Sequence, residues 1–231
     1  MRNKGCVENP DPQKRILILT ADAGFGHRSA ANAIKEALEV TYPGKVIAEV
    51  VNPLDEPTAP EFLHNSQSDY DRWVRQVPEL YQLGYEASDR PVPTAILERS
   101  LVVLLEETMR LLLDRYKPDV IVTTYPAYQA PMLAALRRKR CRKPFYTVIT
   151  DLSTLHRLWF YPRVTGCMVP NTLVADLALN HGIDEAKIFV TGIPVSPHIN
   201  RETRSKVEIR KELGWQEKLP TILAVGSKRV D

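Results

Sequence analysis

Short apolar runs alternate with stretches of helical period along most of the chain. Arg15 to Thr20 (RILILT) is dense in Ile and Leu, the pattern of a strand buried on both faces. Glycines follow, and Ser29 to Val40 then carries Ala30, Ala33, Ile34, Ala37 and Leu38 at helical spacing. Pro43-Gly44 closes that helix, and Lys45 to Val51 (KVIAEVV) gives a second strand. A strand, helix, strand unit of this kind forces a parallel sheet with a right-handed crossover.

The alternation returns further on. Asp119 to Thr124, Phe145 to Thr150, Gly166 to Val169 and Lys187 to Thr191 read as strands. Ala130 to Lys139 and Leu173 to Asn180 read as helices, the latter capped by Asn171 or Thr172 and ended by Gly182. Between Pro53 and Pro93 the pattern breaks. There Ser66 to Ala87 is aromatic and amphipathic, with Tyr70, Trp73, Val77, Leu80, Tyr81 and Tyr85 near helical spacing, and Thr94 to Tyr116 reads as one long helix. The predicted fold class is α/β: a doubly wound, mostly parallel Rossmann-like sheet with the start of a second domain. Residues 1–14 are expected to be a flexible tail and 15–200 the Rossmann-like domain. Residues 201–231 are expected to be a linker, the charged helix Ser205 to Leu213, and a fresh strand at Thr221 to Val225.

With 231 residues, 44% of them hydrophobic and 26% charged, the chain has the composition of a globular protein with a real core. A formal charge of +3 does not by itself imply nucleic acid. Cys6, Cys141 and Cys167 are scattered without a C-x-x-C, so neither a disulfide scaffold nor a zinc ribbon is expected, and Cys141 and Cys167 are expected to pack or lie at the surface. No His, Asp or Glu pair has metal-ligand spacing, and no metal is expected. The N-terminus lacks the apolar stretch of a signal peptide. The longest uncharged run, Val120 to Leu136, is broken by Pro126 and Pro131 and is too short to span a bilayer as a helix.

Two segments carry candidate chemistry. Ala21 to Ala31 (ADAGFGHRSAA) joins the first strand to the first helix. Gly24 and Gly26 let backbone approach a ligand closely, and His27 sits where open α/β sheets bind ligands. A plain tight turn with His27 at the helix start reads equally well. As a dinucleotide fingerprint the segment is broken, since Ser29 replaces the third glycine and the second strand ends in Val51-Asn52. Thr150 to Phe160 (TDLSTLHRLWF) follows a strand and gathers Asp151, His156 and Trp159. An Asp–His pair there would orient or charge a general base. The bland alternative has Asp151 capping a short helix and His156 exposed.

Together these segments resemble the N-terminal domain of the monogalactosyldiacylglycerol synthase and processive diacylglycerol glucosyltransferase family. The D-x-G-x-G-H-x-x-[SA]-A pattern is matched from Asp22 to Ala31, and T-D-L-x-T-x-H-x-x-W-F from Thr150 to Phe160. Weaker echoes are Tyr81 to Tyr85 after Pro78, and VTGIPVSP at Val190 to Pro197. The resemblance implies the N-terminal half of a GT-B glycosyltransferase, which transfers a hexose from a UDP-sugar to a diacylglycerol-type acceptor with inversion. It implies His27 as general base, and Gly24, Phe25, Gly26, Asp151, His156 and Trp159 on the acceptor side, Trp159 facing lipid or packing. No cofactor is implied beyond the nucleotide-sugar co-substrate. Phe25 stands where the family often has Gly, narrowing the space beside the base. The donor loop expected of the second domain is not matched at Gly226 to Arg229, so the chain alone is expected to be inactive.

Arg137 to Lys143 (RRKRCRK) holds six positive charges in seven positions. It reads either as a solvated helix end whose cations suit the dipole or as a patch for anionic headgroups, through Arg137, Arg138, Lys139 and Arg140. Trp73 and its tyrosine neighbours are a second candidate for bilayer contact. The expected location is cytoplasmic, peripheral on the inner face of a membrane, with lipid acceptor and nucleotide-sugar as partners and no nucleic acid. Rival readings are a lipid-binding module without catalysis, a GT-B enzyme with a polyprenyl-linked acceptor, and a nicotinamide-dependent oxidoreductase, which the broken fingerprint disfavours.

Overall fold

Six short apolar runs form one wholly parallel sheet in the computed structural model, which describes residues 12–23, 26–61, 88–153, 155–222 and 224. The strands are β1 (Lys14–Leu19), β2 (Val46–Val51), β3 (Val120–Thr123), β4 (Phe145–Val148), β5 (Gly166–Val169) and β6 (Ile188–Val190), in the order β2-β1-β3-β4-β5-β6. This is the expected doubly wound, Rossmann-like arrangement. The helices are α1 (Gly26–Thr41), α2 (Pro91–Tyr116), α3 (Gln129–Arg138), α4 (Thr172–Asn180) and α5 (Lys206–Glu212). Residues to Pro197 form one compact unit and those from His198 a second.

Period-two alternation assigns side chains to the two faces of the sheet. Leu17, Leu19, Ile121 and Phe145 bury one face against Leu105, Met109 and Leu112 of α2 and Met132 and Ala135 of α3. Ile18, Ala48, Val122 and Val148 form the other core, with Ala31, Ile34 and Leu38 of α1. Helices fall on opposite faces because right-handed crossovers leave β1 and β3 in opposite directions. Toward the β6 edge, α4 packs Val174 and Ala178 on Cys167 and Val169. Gly166 permits a close approach there: a Cβ would lie 2.9 Å from the Tyr146 ring and 3.1 Å from Phe189.

Caps set the helix boundaries. Asn171, rather than Thr172, caps α4 by accepting from Val174 N–H, and Gly182 ends it at φ +85°. α2 begins at Pro91, three residues before the predicted start, because a proline at N1 has no N–H to leave unsatisfied. Ser205 and Glu208 close a capping box at the start of α5.

Two expectations are corrected. Thr221, Ile222 and Ala224 are not in a strand. A strand exists by bonding to a neighbour, and among the described residues none pairs here; Thr221 Oγ1 instead meets the Arg210 guanidinium at 2.8 Å. Cys141 is disulfide-bonded, which its sequence spacing does not report, whereas Cys167 is free and buried. The amphipathic segment expected at Ser66 to Ala87, with Trp73, and the loop glycine Gly24 with Phe25 lie outside the described residues.

Candidate functional site

The end of β1 and the end of β3 are neighbours whose following chain segments diverge, which opens a crevice at the strand C-termini. His27 enters it from the first turn of α1. Its main-chain carbonyl accepts from Thr124 Oγ1 at 3.0 Å, and that hydroxyl also lies 3.0 Å from Oγ1 of Thr20. Two threonines at the ends of adjacent strands thus fix where α1 begins. The imidazole is held separately: Nδ1 lies 2.9 Å from Oγ1 of Thr150, just past β4. Its ring packs edge-on to Tyr125 at 5.2 Å and against Trp159 at 5.8 Å.

Burial pulls the His27 pKa below the ordinary imidazole value, while the Asp151 carboxylate and the Thr124 main chain pull it up. The ring is therefore neutral at neutral pH, with a carboxylate near enough to steady a proton it takes up. Asp151 is in turn held by Trp159, whose indole Nε1 donates to Oδ2 at 2.7 Å. Trp159 is only 1% exposed, so of lipid-facing and packing the structure has it packed. Gln129, at the start of α3, donates to the Trp159 carbonyl at 3.1 Å.

The Asp151–His156 pair envisaged from their spacing is not formed. The chain turns through a short 3-10 segment, Arg157–Trp159, which carries Trp159 back to Asp151 and leaves His156 as its N-cap. His156 Nδ1 accepts from Leu158 N–H at 3.1 Å, which leaves the ring proton on Nε2, 3.1 Å from Ser88 Oγ. Asp89 lies 4.0 Å from the same ring and accepts from the Arg157 N–H. Asp151 caps no helix either.

Asp22 and Asn52, also beside the crevice, are both paired. Asp22 takes a two-point contact from Arg28 at 2.7 and 2.6 Å, which lowers its pKa and neutralises a cation at a helix N-terminus. Asn52, buried where a dinucleotide fold would place an acid, accepts from Tyr128 OH at 3.0 Å and from Leu54 N–H. Burial drives the Tyr128 phenol well above its ordinary pKa. Among the described residues no three His, Cys, Asp or Glu side chains gather where they could hold a metal ion.

The basic cluster lies elsewhere. α3 starts beside Trp159 and runs away from it for ten residues, about 15 Å, so Arg137 and Arg138 sit toward the opposite end of the sheet. Arg138 pairs with Glu106 at 3.4 Å and Lys139 with Asp114 at 2.7 Å, both on α2. Next to them Arg137, Arg140, Arg142, Lys143 and Arg163 line a pocket of about 530 Å³ together with Leu133 and Leu136. Among the described residues no helix is long and apolar enough to cross a membrane.

Sequence reasoning singled out His27, Asp151, His156 and Trp159 and missed Thr124, Thr150 and Tyr125 as parts of the same constellation. Thr150 stood inside the quoted motif without a role. Thr123-Thr124 at a strand end was the available signal, since hydroxyls there face the crevice of an open sheet.

A family model described as monogalactosyldiacylglycerol (MGDG) synthase matches residues 27–195. The chain is 36% identical over 219 residues to the chloroplastic monogalactosyldiacylglycerol synthase of Spinacia oleracea, covering 94% of this chain and 42% of that protein. With the chloroplastic monogalactosyldiacylglycerol synthase 1 of Arabidopsis thaliana the identity is 35% over 218 residues, with coverage of 94% and 40%. Among solved structures, Anabaena HepE in complex with UDP-glucose aligns at a TM-score of 0.46 and 11% identity, over 87% of this chain and 50% of that one. The chain spans less than half the length of these two relatives.

Proposed function

The chain belongs to the monogalactosyldiacylglycerol synthase family, and on that premise we propose that it forms the acceptor half of a glycolipid glycosyltransferase. The reaction moves a hexose from a UDP-sugar to the free hydroxyl of a diacylglycerol-type lipid, with inversion, and His27 is the general base. The nucleotide-sugar binds through a second domain of the kind its longer relatives have room for.

One observation carries the reading: an imidazole at the strand ends, held by Thr150 and packed against Tyr125 and Trp159, where burial lowers its pKa and the Asp151 carboxylate opposes this. An acceptor hydroxyl must lose its proton as it attacks the anomeric carbon, and a neutral imidazole takes it while Asp151 steadies the resulting charge. The bond to the sugar forms as the bond to the diphosphate breaks, with the electron pair leaving on the diphosphate. The family motif assigns Gly24, Phe25 and Gly26 to the acceptor; Asp151 and Trp159 belong to the same site, and His156 fixes the loop between them.

The test is His27→Ala and His27→Gln in the longest native form of the protein, assayed with UDP-hexose and diacylglycerol in mixed micelles. Turnover is expected to fall by about 10²-fold or more with lipid binding retained. Undiminished turnover would remove His27 as the base. Replacing diacylglycerol with a polyprenyl-linked sugar separates the two acceptor classes.

Peripheral attachment to the cytoplasmic face of a membrane belongs to the same proposal. It is supported by the five cations and two leucines around the pocket at the end of α3, a lining suited to an anionic headgroup and the first carbons of its chains. Charge reversal at Arg137 and Arg140 should abolish sedimentation with anionic vesicles and leave neutral vesicles unaffected. Equal sedimentation of variant and wild type would exclude this surface.

A further inference from the structure

We propose that Thr150 is a positioning residue that accepts the Nδ1 proton of His27 and so keeps Nε2 free to act as the base. The proposal rests on the reading of His27 given above. It starts from the 2.9 Å contact between His27 Nδ1 and Thr150 Oγ1, which joins the first turn of α1 to the end of β4.

A neutral imidazole has one proton for two nitrogens, and the partner of one nitrogen decides the state of the other. Nδ1 lies next to the ring's attachment and faces Thr150. Nε2 is the outer nitrogen, the one an acceptor hydroxyl can reach. For Nε2 to keep a lone pair, Nδ1 must carry the proton and needs an acceptor. A threonine hydroxyl supplies one without bringing a charge.

This assignment also suits the reaction. When the attacking hydroxyl passes its proton to Nε2, the ring becomes an imidazolium with both nitrogens protonated. The Nδ1–H···Oγ1 bond is present before and after that transfer, so nothing around the ring has to reorganise. With the opposite tautomer Thr150 would donate to Nδ1, and Nε2 would have no lone pair to offer. The charged group bearing on the ring, Asp151, then meets the new positive charge.

Thr150 is the side-chain partner of the ring, and the His27 main chain has an anchor of its own. Thr124 holds the His27 carbonyl at 3.0 Å, so a change at Thr150 leaves the start of α1 where it is. The predicted effect is thus on the proton's position within the ring rather than on the fold.

Imidazole ¹⁵N NMR of the 231-residue chain, with His labelled, reads this directly. Wild type and Thr150→Ser are expected to show Nδ1 protonated and Nε2 unprotonated. Thr150→Val, of the same shape without a hydroxyl, should move the tautomer ratio toward Nε2–H by about five- to tenfold, the worth of one hydrogen bond. Thr150→Ala serves if the Val variant does not fold, as judged by near-ultraviolet circular dichroism.

A wild-type ring carrying its proton on Nε2, or variants without a hydroxyl that match wild type, would overturn the proposal. The two readings fail separately. Loss of turnover in His27→Gln with an unchanged tautomer in Thr150→Val would keep the base and discard its positioner. The expected tautomer shift with full turnover in His27→Gln would do the reverse.

Discussion

The indole of Trp159 donates to the carboxylate of Asp151 at 2.7 Å, and both groups act on His27, the indole by packing 5.8 Å from its ring and the carboxylate by its charge. A buried tryptophan thus holds a carboxylate that raises the affinity of His27 for a proton, against a burial effect that lowers it.

Asp151→Asn keeps an oxygen for the indole and removes the charge. Burial then acts with less opposition, and His27 should titrate lower still than in wild type, where it already lies below the ordinary 6.5. The acid limb of the pH–rate profile should move to lower pH with it. NMR titration of the His27 ring checks this, and an upward shift in the variant would contradict the assigned roles.

His156 makes an acid-sensitive latch. Burial lowers its pKa and Asp89 opposes this in part. As pH falls, the unfolded chain takes up the proton first. The latch's contribution to stability is therefore complete above about 6.5 and is lost as pH drops through the lower, folded value. Urea unfolding at pH 7.5 and pH 5 should show a smaller acid loss for His156→Gln than for wild type. Equal losses would mean that the Leu158 and Ser88 contacts do not depend on the neutral ring.

Gly166→Ala tests packing at the β4–β5 pair. Its Cβ would fall 2.9 Å from the Tyr146 ring and 3.1 Å from Phe189, so one ring must move. Destabilisation of about 1–3 kcal/mol is expected by chemical denaturation. A neutral result would show the ring free to swing outward.

Cys167 should be inert in the native protein. It is buried in the α4 core, and burial pushes its thiol up to about 12. Alkylation by iodoacetamide is expected to be slower by about a thousandfold than in urea, as its thiolate fraction requires. Rapid native labelling would show that α4 opens.

The strands were legible because a parallel sheet buried on both faces demands unbroken apolar runs, as in RILILT and FYTV. The place of His27 at the strand ends was legible because its segment joins the first strand to the first helix, whereas its assignment as a base came from the family resemblance alone. The partner of Asp151 was not. Asp151 and His156 are five residues apart, and spacing alone takes no account of the 3-10 turn that reverses the loop and brings Trp159 back instead. Thr124 and Thr150 were hidden for another reason: threonine at a strand end is ordinary β-branched usage until the fold shows what its hydroxyl meets. The disulfide of Cys141 and the pocket beside it have no local sequence pattern to betray them.

The winding of the sheet also governs how the molecule is made. β1 is flanked on both sides, by β2 and β3, and its tie to the β3 side joins Arg15 to Asp119 across 104 residues. The ring contact of His27 spans 123 residues more directly still, closing on Thr150. Contacts of such sequence separation form late and make folding slow. A nascent chain that ends before Thr150 carries the His27 motif without the ring's partner, and one that ends before β3 leaves an apolar β1 edge that invites association with other chains.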